Sequence, residues 1–256
     1  MIHPTAIIDP SARLAADVKV GPYSIIGAGV EIGAGTDVAS HVVIKGPTTI
    51  GERNRIFQFA SVGEDCQDKK FAGEPTRLEI GDDNQIREYV SLHRGTVQDQ
   101  GLTRIGSRNL LMTSVHIAHD VMMGDDNIIA SGSGVAGHVH IGDHVILGGM
   151  TGVHQFCHIG SYSMAAGCSL IVKDIPAYVM VGGNPASAYA MNFEGMRRRG
   201  WSAETIAALK KAYRIVYRDK LTLEVALAEA EKLVAECPEV QLFIDSIKAS
   251  TRGILR

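Results

Sequence analysis

The sequence predicts a parallel β-helix closed by a small helical unit. Three observations carry this: a six-residue recurrence of aliphatic side chains, glycine after many of them, and helical spacing in the last quarter. From Ile2, steps of six reach Ile8, Leu14, Val20, Ile26, Ile32, Val38, Ile44, Ile50, Ile56 and Val62. A second series runs from Ile105 through Leu111, Ile117, Met123, Ile129, Val135, Ile141, Leu147, Val153, Ile159 and Ala165 to Ile171. A period of six fits neither a helix at 3.6 nor a free strand at 2. It fits an eighteen-residue coil of three short strands, whose register residues point inward and stack on those of neighbouring coils. Each coil then hydrogen-bonds to the next at roughly 4.8 Å. The period leaves handedness open, and most parallel crossovers are right-handed.

Two polar interruptions, residues 63–79 and 94–104, read as loops leaving the coil; the second shifts the register by one. Loops on a rigid scaffold are favoured places for binding groups. After Pro176 the repeat fades. Ser202 and Thr222 are candidate N-caps. Ile206, Leu209, Tyr213, Val216 and Tyr217 follow the first, Leu223, Leu227 and Val234 the second, and Val240, Phe243, Ile244 and Ile247 suggest a third helix after Pro238. The expected division is residues 1–190 as hexapeptide-repeat β-helix and 191–256 as a C-terminal helical domain.

Composition agrees with a core of aliphatic side chains, since 45% of residues are apolar and only 5% aromatic. A net charge of −3 gives no general attraction for nucleic acid or membrane surface. The four cysteines, Cys66, Cys157, Cys168 and Cys237, show no paired spacing and read as free thiols of a reducing compartment. The opening MIHPTAIIDPSARL lacks the basic-then-apolar pattern of a leader, and no stretch approaches the ~18 apolar residues of a membrane span. A cytoplasmic protein without membrane insertion is expected.

Positions eighteen apart should lie one above another. This puts His119, Gly137 and Gln155 in one file, with Asp120, His138 and Phe156 beside it, and Ser131, Gly149 and Gly167 in another. Imidazole beside carboxylate suits a general base, and a bare glycine N–H suits an oxyanion. Gly149 and Gly167 could form a furrow for an alkyl chain, or simply serve as turn glycines. Outward histidines such as His41, His140 and His144 are ordinarily solvated. The pairs His116/His119, His140/His144 and His154/His158 bring no evident third ligand, so no metal is expected. Cys157 falls at an inward position and Cys66 has no histidine beside it, which disfavours a thiol nucleophile. Arg197, Arg198, Arg199, Lys210, Lys211, Arg214 and Arg218 form a basic helical surface, either solvated or attractive to a diphosphate or an acidic carrier protein.

Several segments together resemble the acyl carrier protein–dependent UDP-N-acetylglucosamine O-acyltransferases that open lipid A biosynthesis. They are QFASVGE (58–64), GEPTR (73–77), HRGT (93–96), HIAHD (116–120), AGHV (136–139), VHQF (153–156), GNPA (183–186), NFEGMRRRG (192–200) and STRGILR (250–256). The resemblance implies a left-handed coil and a homotrimer with sites between subunits. It also implies 3-hydroxyacyl transfer from the carrier protein to the sugar 3-hydroxyl, without a cofactor. It makes His119 the base, Asp120 its support and Gly137 the oxyanion donor. Gln67, Asp68, Lys70, His116, His138 and Gln155 match positions lining the sugar and acyl site, and Gly167 a position that helps set chain length. His154, Asn192, Glu194, Arg198 and Arg199 match the nucleotide half. The rival readings are a sibling N-acyltransferase acting on a UDP-amino sugar, a non-catalytic β-helical scaffold, and a metal-dependent hydratase.

Overall fold

A computed structural model describes residues 1–255; Arg256, the last residue of the STRGILR ending, lies outside the described residues. Among those described, strands form three sheets of nine, eight and ten members, ordered by every third strand except where a terminal hairpin joins the ten-stranded sheet. The chain therefore coils as a triangular prism, a left-handed parallel β-helix. The usual right-handed preference comes from twisted strands feeding a crossover helix. Strands of two residues joined directly at corners contain neither.

Register follows the eighteen-residue winding. Ile7 pairs with Ile25 and Ile25 with Val43, while His116 pairs with Gly134 and Gly134 with Gly152. At the first interruption Ile50 pairs with Ile80, thirty positions on, and at the second Ile86 pairs with Leu111, twenty-five on. The strands Arg77–Ile80 and Leu102–Ile105 begin earlier than the polar sequence suggested, so the excursions are shorter than expected. The inward residues of one face, among them Ile26, Ile44, Val62, Leu92, Ile117, Val135 and Val153, are buried in one continuous stack. Each such side chain contributes about 1.5–3 kcal/mol by leaving water.

Each prism edge turns through a residue in the left-handed region. One edge carries Tyr23, His41, Phe59 and Tyr89, a second Arg53, Asp83, Arg108 and Asp126, and the third Asp120, His138 and Phe156, all with φ between 53° and 65°. Beneath the second edge lies a buried polar ladder. The Asn54 Oδ1 accepts from the backbone N–H of Asn84 at 2.9 Å, Asn84 Oδ1 from that of Asn109 at 2.8 Å, and Asn109 Oδ1 from that of Asn127 at 2.8 Å. The ladder satisfies N–H groups that corner geometry leaves without strand partners.

The end of the prism holds structure that periodicity did not foretell. Val179–Gly183 and Ala186–Met191 form an antiparallel hairpin, joined to the last coil through Met164 and Met180. Helix α1 (Phe193–Arg198) follows, then α2 (Ala203–Tyr217), α3 (Leu223–Glu231) and α4 (Glu239–Lys248). Ser202 and Thr222 cap α2 and α3 by accepting from Thr205 N and Val225 N. In α3 the buried residues are Ala226 and Ala230, whereas Leu223 is exposed and Val234 lies beyond the helix end. Small residues let α3 approach its neighbours closely, so the inner face is not the leucine face expected. None of the helices among the described residues is long and apolar enough to cross a membrane.

The C-terminal tail is tied to the prism by buried Asp174. Its carboxylate accepts from His158 N at 2.7 Å, Ser250 Oγ at 2.6 Å, Thr251 N at 3.1 Å and Arg252 N at 3.2 Å. Burial pushes its pKa up, but the nearby His158 side chain, the Ser250 hydroxyl and the backbone donors outweigh that and hold it at about 2.

Two predictions arise here. Asn84→Ala strands the Asn109 N–H and is expected to lower the unfolding free energy by on the order of 3 kcal/mol, read by chemical denaturation at fixed protein concentration. Asp174 has a folded pKa below its ordinary 3.8, so its stabilisation is complete above that value and is lost as pH falls towards 2. Asp174→Asn should flatten this part of the stability-against-pH curve; an unchanged slope below pH ~4 would refute the assignment.

Candidate active site

The third edge brings together the groups expected from the eighteen-residue file. His119 follows the inward Ile117 by two positions and so opens the corner, and Asp120 turns it at φ 58°. The Asp120 N–H donates to Thr103 Oγ1 at 2.8 Å, fixing the turn. His119 Nδ1 lies 2.8 Å from Asp120 Oδ2, with both residues buried. An ionised carboxylate only accepts, so Nδ1 carries the proton and Nε2 is left with a lone pair when the ring is neutral. Burial pushes the Asp120 pKa up, yet hydrogen bonds from His119 and Thr96 bring it below the ordinary value.

Gly137 stands directly over the His119 ring. A Cβ built there would lie 2.5 Å from Cε1 and 2.6 Å from Nε2 of His119, so the imidazole position requires glycine. Gly137 is buried, and among the described residues nothing accepts from its N–H. A buried N–H without a partner is uncommon and marks a place where a ligand acceptor fits. Beside it, His138 stacks on Phe156 with centroids 4.5 Å apart and meets the His119 ring edge-on at 4.9 Å. His138 Nδ1 donates to Asp99 Oδ2 at 2.8 Å.

A cleft of about 580 Å³ opens over the adjoining face, lined by Gln67, Asp68, His93, His116, His119, Gly137, His154 and Gln155. Its floor crosses Gly134 and Gly152, which sit in register with His116 and present no side chains. His116 Nδ1 is bonded to Ser91 Oγ at 2.8 Å, and His93 meets the His116 ring edge-on. Burial, and then the neighbouring His116, depress the His93 pKa to about 4. Burial and His119 depress that of His116. Both rings are thus kept uncharged beside His119. A second cavity of about 480 Å³ adjoins the cleft and includes Asp68, Lys70, Thr96, Asp99, His138 and Gln155.

Other expected residues lie elsewhere. Gly149 and Gly167 do stack in file, with a Cβ on Gly167 lying 3.3 Å from the Gly149 carbonyl oxygen, but they line neither cavity. The smooth furrow within one chain is made by Gly134 and Gly152 instead, which the same arithmetic applied to His116 would have found. Asn192, Glu194, Arg198 and Arg199 gather on the second edge. Asn192 caps α1 by accepting from Gly195 N and donates to the Tyr162 carbonyl; Glu194 pairs with Arg198 at 3.1 Å; the Arg199 guanidinium lies 5.6 Å from the Tyr162 ring centre. Within one chain the structure does not bring this group to the cleft.

His119, Asp120 and His138, which the eighteen-residue file also places together, offer donor atoms within 4.8 Å of one another. Both Asp120 oxygens already accept from Thr96, and His138 Nδ1 is taken by Asp99. The two imidazole Nε2 atoms and one lone pair of Asp120 Oδ1 are left outside these hydrogen bonds.

Residues 174–255 match the family described as UDP N-acetylglucosamine O-acyltransferase, domain 2, and residues 1–34, 11–46 and 102–137 match the bacterial transferase hexapeptide repeat. The acyl-[acyl-carrier-protein]–UDP-N-acetylglucosamine O-acyltransferase of Stutzerimonas stutzeri is 61% identical, covering 100% of this chain and 99% of that protein. The UDP-N-acetylglucosamine O-acyltransferase (LpxA) of Moraxella catarrhalis superposes with a TM-score of 0.99 at 60% identity, covering 100% of this chain and 99% of that one. LpxA of Acinetobacter baumannii gives 0.98 at 61% identity, with the same coverage. With identity of this degree along its whole length, the chain belongs to the UDP-N-acetylglucosamine O-acyltransferase family.

Proposed function

We propose that the protein transfers a 3-hydroxyacyl group from acyl carrier protein to the 3-hydroxyl of UDP-N-acetylglucosamine, the first step of lipid A biosynthesis. The observation that carries this reading is the unpartnered, buried Gly137 N–H directly above a carboxylate-supported imidazole. His119 Nε2 takes the proton from the sugar hydroxyl as its oxygen attacks the thioester carbonyl. Asp120 stabilises the imidazolium that forms, and the Gly137 N–H donates to the tetrahedral oxyanion. Collapse breaks the C–S bond, and His119 returns the proton to the departing carrier thiol. No metal, cofactor or acyl-enzyme is required by this sequence.

The polar groups along the cleft, Gln67, Asp68, His116, His154 and Gln155, are suited to hold the sugar and its acyl donor; Lys70 and His138 lie in the cavity beside it. The division of site residues among the three edges of the prism supports a groove between subunits. There the cleft of one chain would meet Asn192, Glu194, Arg198, Arg199, Gly149 and Gly167 of another. Exposed apolar residues Ile25, Leu170, Ile128 and Met150 on two faces and the edge between them favour such an assembly, read as a homotrimer. The exposed cations of α1 and α2 suit the diphosphate and an acidic carrier protein. Four unpaired thiols fit a cytoplasmic setting.

General-base catalysis is worth about 10²–10⁴-fold, so His119→Ala should cut kcat by at least ~10²-fold while leaving the melting temperature near wild type. The assay follows product mass with purified carrier thioester and UDP-N-acetylglucosamine. A variant retaining near-normal turnover would remove His119 from the chemistry.

A further inference from the structure

Residues 94–101 leave the coil as a short loop with both ends pinned. Arg94 is buried and donates from Nη1 to the carbonyls of Gly46 at 3.1 Å and Gly63 at 2.6 Å, while its Nη2 meets the Asp65 carboxylate. At the other end Gly101 N donates to Thr96 O at 2.9 Å, and Arg77 N to Gly101 O at 2.9 Å. The loop is therefore closed on itself and fastened to two neighbouring segments.

From this frame two side chains reach the edge that carries His119. Thr96 donates its N–H to Asp120 Oδ1 at 2.8 Å and its hydroxyl to Asp120 Oδ2 at 2.7 Å. Asp99 accepts from His138 Nδ1 at 2.8 Å. A second carboxylate oxygen near that nitrogen is Asp120 Oδ2, at 3.9 Å, the same oxygen that receives His119 Nδ1.

We propose that this loop is a clamp on the acid–base pair, with Thr96 and Asp99 as its positioning residues. Thr96 fixes the Asp120 carboxylate in the plane that faces His119. Asp99 engages His138 and so keeps it from competing with His119 for Asp120 Oδ2. A carboxylate held by two donors from a pinned loop has little freedom to rotate, so the His119 ring is oriented before substrate arrives. Without Asp99, a modest turn of the His138 ring brings its Nδ1 within bonding reach of Asp120. The base then loses part of its support. The inference rests on the acyl-transfer reading above.

Asp99 is solvent-facing, its side chain 34% exposed, so replacing it leaves the core intact. The test uses full-length protein, acyl-carrier thioester and UDP-N-acetylglucosamine, together with ¹⁵N-histidine spectra. Misplacement of a reacting group has large kinetic effects, and Asp99→Ala is expected to lower kcat about 10-fold with the sugar KM changed less than about twofold. Asp99→Asn keeps an acceptor for Nδ1–H and should restore most of the rate. Thr96→Val, which keeps shape and the backbone donor, should lower kcat in the same way. In the spectra, Asp99→Ala should move the Nδ1 signals of both His138 and His119. Wild-type kcat in Asp99→Ala, or a His119 signal that does not move, overturns the clamp. A wild-type protein that transfers no acyl group would instead sink the acyl-transfer reading, and the histidine spectra would still decide the clamp.

Discussion

The arrangement of the site depends on one interaction, the backbone hydrogen bond between rungs eighteen residues apart. Ala118 N donates to Val135 O at 3.0 Å, Ala136 N to Val153 O at 3.1 Å, and His138 N to His119 O at 3.1 Å. Each bond contributes only about 1 kcal/mol net, but leaving either partner buried and unpaired costs more. A slip of one residue would turn every inward aliphatic outward. The register is therefore held by the whole stack, and Gly137 stays over His119 because Ile117 stays under Val135. Both excursions enter and leave without disturbing this, since Ile80 and Leu111 return to the inward row.

The corners explain why titratable side chains gather at an edge. Left-handed backbone costs an ordinary residue roughly 1–2 kcal/mol, less for Asn, Asp and His. Asp83, Asp120, Asp126, His41, His138 and His144 all occupy such positions. The residue types that tolerate the corner are also those that titrate and bond. Where bulky aromatics occur instead they form ladders, as Tyr23, His41, Phe59 and Tyr89 do with ring centres 5.2–5.4 Å apart. Faces bury one residue of each strand pair and leave the other outward. An edge exposes successive side chains in file without taking any from the core.

Much of this was legible in sequence, because a period converts position into place. The prism, its inward rows, the file of His119, Gly137 and Gln155, and the caps at Ser202 and Thr222 all follow from local spacing. What spacing missed lies where the period stops. The hairpin Val179–Gly183 with Ala186–Met191 alternates small residues and follows the end of the repeat, so no register pointed to it. Thr96 and Asp99 belong to an excursion, and no count of eighteens links position 96 to 120 or 99 to 138. Leu223 looked like core by hydropathy, yet Ala226 and Ala230 won the interface because helix packing there favours close approach. Gly149 and Gly167 follow the same file logic and stack as it expects, outside the two cavities of one chain.

The cleft and its rim hold several imidazoles, and their partners distinguish them. His116 Nδ1 is engaged by a serine hydroxyl, His154 Nδ1 by the carbonyl of Gln155, and His138 Nδ1 by the partly exposed Asp99. Only His119 is bonded to a carboxylate that is itself buried and held by further donors. That pairing matters most when the ring gains a proton, since an imidazolium formed away from water needs a fixed negative partner. Neighbouring positive charge would oppose the same step. Burial keeps His93 and His116 uncharged near neutrality, so a proton gained by His119 would meet the Asp120 charge without opposition from those two. On the proposed acyl-transfer reading, selection of His119 among many histidines is thus a matter of which neighbours are charged and which are kept neutral, and the coil sets both through the depth at which each rung buries its side chains.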